Sequence, residues 1–414
     1  MSTFGNTEVP AEILEHILDY LHNDGAALRA SALVQRSWVA TTRLHLYNEE
    51  IVSQGHTPRR EPMDNATTFI EMCRSPLCTV LGFIQSVIIM IKDPTLDEAV
   101  IDVLNQAPGL KKVVYFDNHE EARSTKWLHR KLPQVEELVY SPQRFFGKET
   151  ASMISTFSKL RTLAVYFADS VRPEYPINSD ALPNSFSNLR HLRLLLSNPE
   201  EMLQWLLSSS PSIQLEHLEL RMLSPYHRGW GSVKHLNAFL AAQADTLKHL
   251  SLSVEYKGVI HAWFAPSDDR DAIVDLGPLI ALSTLKFRTH DLRAVRSSLA
   301  TLSSRSVQEL QVDHMYWGPA RRGCDCELTQ GVADLDDVTE SDILSKAHLR
   351  VGHWVEFDHR LDRDMLLNTF KERIAHKSVL FYQSEVHDNF QPDTFSALAY
   401  RIVKRTPVVW PNRG

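Results

Sequence analysis

Four cysteines in 414 residues are too few for a disulfide framework, and they stand at Cys73, Cys78, Cys324 and Cys326. Long apolar runs are also missing, because the longest, residues 80–91, is interrupted by Gln85 and Ser86 and is too short to cross a bilayer. No basic region followed by an apolar run opens the sequence, so we expect no secretory signal. These absences favour a reducing compartment, the cytoplasm or the nucleus.

The chain also lacks an excess of positive charge, since 44 Lys and Arg residues stand against 51 Asp and Glu residues and the formal net charge is −7. A nucleic-acid or anionic-membrane surface needs a basic stripe, so neither is an expected partner. Hydrophobic residues make up 43% and charged residues 23% of the chain, the usage of an ordinary globular protein.

Recognisable catalytic motifs are absent. The sequence has no phosphate-binding G-x-x-x-x-G-K-[ST] loop, no G-x-S-x-G nucleophile elbow, no H-E-x-x-H and no G-x-G-x-x-G after a strand. The pairs Cys73/Cys78 and Cys324/Cys326 do not have the C-x-x-C spacing of a structural zinc site. We therefore expect neither an enzyme nor a bound cofactor or metal.

The N-terminal stretch from Val9 to Tyr47 carries two apolar stripes at helical spacing. The first includes Ile13, Leu14, Ile17, Leu18 and Leu21. The second includes Leu28, Ala32, Leu33, Val34 and Trp38. Pro10 suits a first helical turn, and Asn23 and Asp24 can end one helix and cap the next. The pattern predicts three short helices with more apolar side chains than so small a unit can bury.

The order V-P-x-E-I-L-x-x-I-L-x-Y-L, followed by L-V-x-R-S-W, resembles the F-box. Two departures are mild: Val9-Pro10 replaces the usual Leu-Pro, and Gln35 replaces the frequent Cys before Arg36. The resemblance implies docking to a Skp-type adaptor and, through it, to a cullin scaffold that delivers ubiquitin. The positions that match the family's adaptor-contact and small-core residues are Pro10, Ile13, Leu14, Ile17, Leu18, Leu33, Val34 and Trp38. The alternative is that these helices pack inward as the start of the next domain.

After this stretch an apolar-x-x-apolar-x-apolar pattern returns nine times, at intervals of 25 to 35 residues. The first positions are Ile84, Leu110, Val135, Leu160, Leu189, Leu215, Leu247, Leu282 and Val307. Helical patterns lie between them, at 94–106, 149–157, 198–208, 233–244 and 291–302. One strand and one helix per repeat resemble an irregular leucine-rich repeat of the kind found in fungal F-box proteins, without the usual Asn or Cys after the strand. We predict an α/β solenoid with a parallel sheet on the concave face and helices outside.

The predicted domain organisation has five parts. Residues 1–52 form the F-box, 53–83 connect it to the first helix of the solenoid, and 84–322 form the repeats. Residues 323–345 are an acidic insertion with seven acids and no base. Residues 346–414 form a C-terminal capping region, with strands at 350–357 and 378–382 and helices at 363–376 and 395–404.

Strand alternation predicts which side chains line the inner wall. If positions four and six of each repeat point into the core, positions three, five and seven face the concave surface. Position five is apolar in the first four repeats and polar or charged in the rest, and position seven behaves similarly. The candidate substrate-binding residues are Ile88, Val114, Phe116, Val139, Tyr166, Arg193, Leu195, Glu219 and Arg221. Two interpretations of the apolar part remain open: it is a substrate groove, or another part of the chain covers it.

Position three holds His191, His217 and His249 in three successive repeats, which predicts a histidine ladder across neighbouring strands. Solvated histidines duplicated with the repeat are the favoured interpretation, and a metal or pH-sensing site is the other.

Two functions are compatible with the sequence. The first is the substrate-recognition subunit of an SCF-type ubiquitin ligase, in which the F-box holds the adaptor and the repeats hold an unknown target protein. The second is a solenoid scaffold outside ubiquitin transfer, in which the F-box-like helices only cap the repeats.

Overall fold

The structure is a computed structural model of the whole chain, and it separates into two compact units. Unit 1 comprises residues 1–123 and 127–139, and unit 2 comprises residues 124–126 and 140–414. The structure describes residues 10–21, 24–54, 65–117, 132–142, 154, 157–166, 186–196, 200–208, 213–222, 233–254, 273–289, 292–317, 348–356 and 380–383.

Unit 1 begins with three helices, α1 (Ala11–Tyr20), α2 (Gly25–Val34) and α3 (Trp38–Tyr47). The predicted cap at Asp24 is present, because its carboxylate accepts hydrogen bonds from the backbone N–H groups of Ala26 and Ala27 at 3.1 and 2.9 Å. Leu18 and Leu28 are buried at the centre of this segment. The partly buried residues packed against them are Leu21, Trp38 and Leu46.

The repeats of unit 1 follow directly. Their elements are β1 (Glu49–Ser53), α4 (Ala66–Arg74), β2 (Ser86–Ile91), α5 (Pro94–Leu104), β3 (Lys112–Asp117) and the first residues of β4 (Glu137–Pro142). Strands β1, β2 and β3 pair in parallel and in sequence order. Helices α4 and α5 pack on each other and against β1 and β2. Asn65 secures the start of α4, because its side chain donates to the Ile51 carbonyl and accepts from the Ser53 N–H.

Unit 2 contains a parallel sheet in which each strand from β5 to β12 pairs with the next in sequence. Its strands are β5 (Thr162–Tyr166), β6 (His191–Leu196), β7 (His217–Met222), β8 (His249–Val254), β9 (Thr284–Thr289), β10 (Glu309–Trp317), β11 (His348–Glu356) and β12 (Leu380–Gln383). Its helices are α6 (Glu200–Ser208), α7 (Lys234–Ala242) and α8 (Leu292–Leu299). Helices α6 and α7 pack on each other, and the Trp205 ring on α6 meets Phe186 edge-on at 5.4 Å.

A backbone motif repeats at the start of the strands. The carbonyl at position two of a repeat accepts hydrogen bonds from the N–H groups of positions two and three in the next repeat, as when Arg190 accepts from Glu216 and His217 at 2.8 and 3.0 Å. The residues whose carbonyls act in this way are Asn48, Gln85, Lys111, Arg161, Arg190, Glu216, Lys248 and Ser283. The motif fixes the register of each strand against its neighbour.

The predicted α/β class with a parallel sheet is confirmed, and a strand lies at each of the nine predicted repeats. The helices are slightly shorter than the patterns suggest: α5 ends at Leu104 and α8 at Leu299. The predicted strands at 350–357 and 378–382 correspond to β11 and β12. The acidic insertion 323–345 and the predicted helices at 363–376 and 395–404 lie outside the described residues.

Candidate functional site

The three N-terminal helices present large apolar side chains to solvent. Ile13 and Ile17 on α1 are 51% and 45% exposed, and Leu33 and Val34 at the end of α2 are 88% and 68% exposed. Soluble proteins rarely leave such side chains exposed together without a partner. These four residues, which we call the apolar N-terminal surface, all belong to the predicted adaptor-contact set.

The remaining predicted adaptor-contact residues divide between surface and core. Pro10 is exposed at the start of α1. Leu18 is fully buried, and Trp38 packs against the Leu18 and Leu28 cluster, so both stabilise the segment itself. The Leu14 side chain lies outside the described residues. Sequence reasoning left out Tyr20, which is 88% exposed on the last turn of α1 and stands within the matched stretch.

The three helices are joined to the first repeat by polar contacts. The Arg43 guanidinium on α3 donates to the Thr79 hydroxyl at 2.7 Å. The Asn48 carbonyl accepts from the N–H groups of Ser86, the first residue of β2, and of Gln85, which precedes it. The end of α3 is therefore tied to the start of the repeats within unit 1.

The predicted alternation of side chains is confirmed in strands β6 to β10 of unit 2. The residues at positions four and six are all buried: Leu192, Leu194, Leu218, Leu220, Leu250, Leu252, Leu285, Phe287, Leu310 and Val312. Side chains at positions three and five are at least partly exposed. Position seven is mixed, because Arg221 and Arg288 are partly exposed whereas Leu195, Ser253 and Asp313 are buried. We call positions five and seven of these strands the polar face of unit 2.

Arg193 and Lys286 each form an ion pair on the polar face of unit 2. The Arg193 guanidinium on β6 lies 3.6 Å from the Glu219 carboxylate on β7, and the Lys286 ammonium on β9 lies 3.5 Å from the Asp313 carboxylate on β10. Asp313 also accepts hydrogen bonds from the Gln311 side chain at 3.0 and 3.2 Å. Register places Arg193 beside Glu219, as the repeat spacing predicts.

Tyr166 stands at the β5 edge of this face. Burial raises the pKa of its phenol, while the positive charges of Arg193 and Arg221 act in the opposite direction. Its backbone carbonyl accepts a hydrogen bond from the Ser141 hydroxyl at 3.1 Å. The Tyr166 side chain is only partly exposed.

The predicted apolar substrate residues of unit 1 are buried. Ile88, Val114, Phe116 and Val139 are between 0% and 4% exposed, so a partner cannot contact them without displacing other residues. Of the two interpretations left open by the sequence, this burial favours a covered apolar surface over an open groove in unit 1. The burial of these four side chains does not support the prediction that they bind a substrate.

The histidine ladder forms as predicted. His191, His217 and His249 are aligned on β6, β7 and β8, and their rings stack with centroids 5.5 and 4.7 Å apart. Burial, followed by the charges of His249, His191 and Arg193, lowers the pKa of His217 to about 4. No group of three metal-ligating side chains among the described residues could hold a metal ion. Among the described residues the ladder consists of three stacked imidazoles.

Burial also raises the pKa values of two groups near the first repeat, Glu50 and Cys73. Burial raises the pKa of the Glu50 carboxyl on β1 to about 7. Burial, together with the neighbouring Cys78 thiol, raises the pKa of Cys73 on α4 to about 12. A thiol with so high a pKa is rarely ionised at neutral pH and is a poor nucleophile. Cys324 and Cys326 lie outside the described residues.

Comparison of the chain with models of known protein families gives no match, and neither does comparison with curated proteins. None of the helices in the described ranges has the length and apolar character needed to cross a membrane.

Proposed function

We propose that this chain is the substrate-recognition subunit of an SCF-type ubiquitin ligase. In this function the three N-terminal helices bind a Skp-type adaptor, the adaptor connects them to a cullin scaffold, and the repeats bind a target protein. The chain itself contributes binding and no catalysis. The observation that carries the proposal is the apolar N-terminal surface, formed by residues at the positions where the sequence resembles the F-box.

The energetics of that surface support a partner. Burying one Leu, Ile or Val side chain contributes roughly 1.5 to 3 kcal/mol. About half of this free energy is available to an adaptor at Ile13 and Ile17, and most of it at Leu33 and Val34, because these side chains are exposed to that extent. A few such apolar anchors supply most of the affinity in a typical interface.

The scaffold alternative predicts a different arrangement. If the helices served only as a cap of the repeats, their apolar stripes would pack inward onto the first repeat. Leu18 and Leu28 do point into the core of the segment, but Leu33 and Val34 do not. The scaffold function therefore leaves the exposed stripe without a physical reason.

Co-purification of the full chain with a Skp-type adaptor tests the proposal. We expect the wild-type chain to retain the adaptor, and Leu33→Glu to lose it because a carboxylate would be placed in the apolar contact. The matched control is Leu77→Glu, since Leu77 is 85% exposed but lies after α4, outside the predicted contact set. Equal recovery of adaptor with both variants contradicts the proposal, and no recovery with the wild type favours the scaffold.

A further inference from the structure

Two thiols lie side by side at the end of α4. Cys73 belongs to the last turn of the helix and is 5% exposed, and Cys78 follows the helix and is partly exposed. Their side chains are hydrogen-bonded to each other. A disulfide forms where two cysteine side chains point toward each other, and hydrogen-bonded thiols meet that condition.

A proline turn brings Cys78 back to the helix. Ser75-Pro76-Leu77-Cys78 is a β-turn in which the Cys78 N–H donates to the Ser75 carbonyl at 2.9 Å. Pro76 stands at the second position of this turn, where its fixed φ is favourable. The Ser75 hydroxyl also accepts from the Leu77 N–H at 3.3 Å. The backbone between the two thiols is therefore already folded as their contact requires.

The two thiols differ in their access to solvent. Cys78 is partly exposed, and Leu77 and Thr79 on either side of it are exposed. A small oxidant can therefore reach the Cys78 sulfur. The Cys73 thiol is buried, so an oxidant meets Cys78 first.

We infer that Cys73 and Cys78 form a dithiol that a hydroperoxide converts into an intramolecular disulfide. In the first step the Cys78 thiolate attacks one peroxide oxygen, the O–O bond breaks, and Cys78 becomes a sulfenic acid as water leaves. In the second step the Cys73 thiolate attacks the Cys78 sulfur, the S–S bond forms, the S–O bond breaks, and a second water leaves. The two thiols lose two electrons and two protons, and one hydrogen peroxide is reduced to two waters.

The surroundings of Cys73 favour this order of events. Burial, then the charge of Cys78, the hydrogen bond with Cys78 and the charge of Glu50 raise the pKa of the Cys73 thiol, so it is protonated and inert in the reduced chain. A neutral sulfenic acid at Cys78 removes the Cys78 thiolate charge and the hydrogen bond between the two thiols. The Cys73 thiol is then easier to ionise, at the step in which it must act as a nucleophile.

The disulfide would lie beside a contact with the N-terminal helices. Thr79, the residue after Cys78, accepts a hydrogen bond from the Arg43 guanidinium on α3 at 2.7 Å. An S–S bond closes a short ring that contains the turn preceding Thr79. Oxidation should therefore slow amide hydrogen exchange in the segment that joins α4 to this contact.

Tryptic mapping provides the test, because trypsin cleaves after Arg74, between the two cysteines. The full chain with Cys324→Ser and Cys326→Ser keeps Cys73 and Cys78 as its remaining cysteines. It is treated with hydrogen peroxide, its free thiols are alkylated in denaturant, and the digest is examined by mass spectrometry. We expect peptides 61–74 and 75–92 to appear as one linked species, two hydrogen atoms lighter than the free pair, that dithiothreitol separates. Without peroxide, both peptides should be alkylated.

Single variants test the order of the two steps. Cys73→Ser should accumulate a sulfenic acid at Cys78 that dimedone traps, whereas the chain with both thiols should not. Cys78→Ser should leave Cys73 reduced and free for alkylation. Pro76→Gly should slow disulfide formation severalfold, because it loosens the turn that holds the thiols together.

Peroxide treatment that leaves both peptides alkylated overturns the inference, and so does a linkage found in covalent dimers alone. Equal rates of disulfide formation in the folded chain and in urea would also contradict it, because proximity in the sequence, rather than the fold, would then explain the reaction. The experiment uses no adaptor. Its failure therefore leaves the proposed function standing, and a failure of adaptor binding leaves the dithiol untouched.

Discussion

The buried pair of Asp97 and Tyr115 offers a sharp test of how the first repeats are held together. Asp97 on α5 is fully buried, and its carboxylate accepts a hydrogen bond from the hydroxyl of Tyr115 on β3, which is 1% exposed. Tyr115 stands at position six of its repeat, where most other repeats carry an aliphatic residue. The pair therefore joins a helix to the inner side of the sheet through a polar contact in an apolar core.

Tyr115→Phe removes the donor and leaves the carboxylate in the same apolar surroundings. Removing one partner of a buried hydrogen bond costs about 1 to 3 kcal/mol, so we expect the free energy of unfolding of unit 1 to fall by about that amount. Asp97→Ala in the Tyr115→Phe background should cost less than it does in the wild type, because the hydrogen bond between the two side chains is already absent there. The coupling energy expected for such a contacting pair is about 0.5 to 3 kcal/mol.

Hydrogen exchange of the α5 and β3 amides in the full chain measures these changes within unit 1. The amides of both elements should exchange faster in each variant than in the wild type. The loss of stability in the double mutant should be smaller than the sum of the losses in the two single mutants. Tyr115→Phe exchanging at the wild-type rate, or strictly additive effects of the two substitutions, would refute the argument.

Three further predictions concern pH and autonomy of folding. The pKa of Glu50 is raised to about 7, so the stability that it contributes is present below pH 4.5 and is lost as the pH rises through about 7. In Glu50→Gln, the free energy of unfolding measured in urea should therefore depend less on pH over this range. The pKa of His217 is lowered to about 4, so the stability that it contributes is present above pH 6.5 and is lost as the pH falls through about 4. In His217→Gln, the free energy of unfolding should therefore fall less between pH 6.5 and 4. Residues 1–48 alone should melt without a cooperative transition in circular dichroism, because Leu18 and Leu28 form too small a core, and adding the adaptor should restore one.

The strands could be predicted because one simple interaction determines them. Each repeat buries aliphatic side chains at positions four and six, and that requirement leaves a period in the sequence that Leu218 and Leu220 illustrate. The same period fixes which residues are neighbours across strands. The Arg193–Glu219 ion pair and the histidine ladder follow from it.

Other features could not be predicted from that period. It indicates which face Phe116 occupies but not whether other residues cover that face, because covering is a long-range contact without a fixed spacing. The carbonyl of Arg190 accepts two hydrogen bonds through the backbone alone, so no side chain marks the motif. The hydrogen bond between Asp97 and Tyr115 joins a helix to a strand across the core, and the period of the strands carries no information about it.

The affinity of the full chain for a Skp-type adaptor tests the central proposal most directly. Replacing Leu33 by Glu removes an apolar contact worth roughly 1.5 to 3 kcal/mol and adds a charge, so Kd from calorimetry should rise by about 10-fold to more than 100-fold. Leu77→Glu, an equally exposed leucine outside the predicted contact, should leave Kd unchanged. An unchanged Kd for Leu33→Glu, or a wild-type chain with no measurable affinity, would contradict the assignment of these helices to adaptor binding.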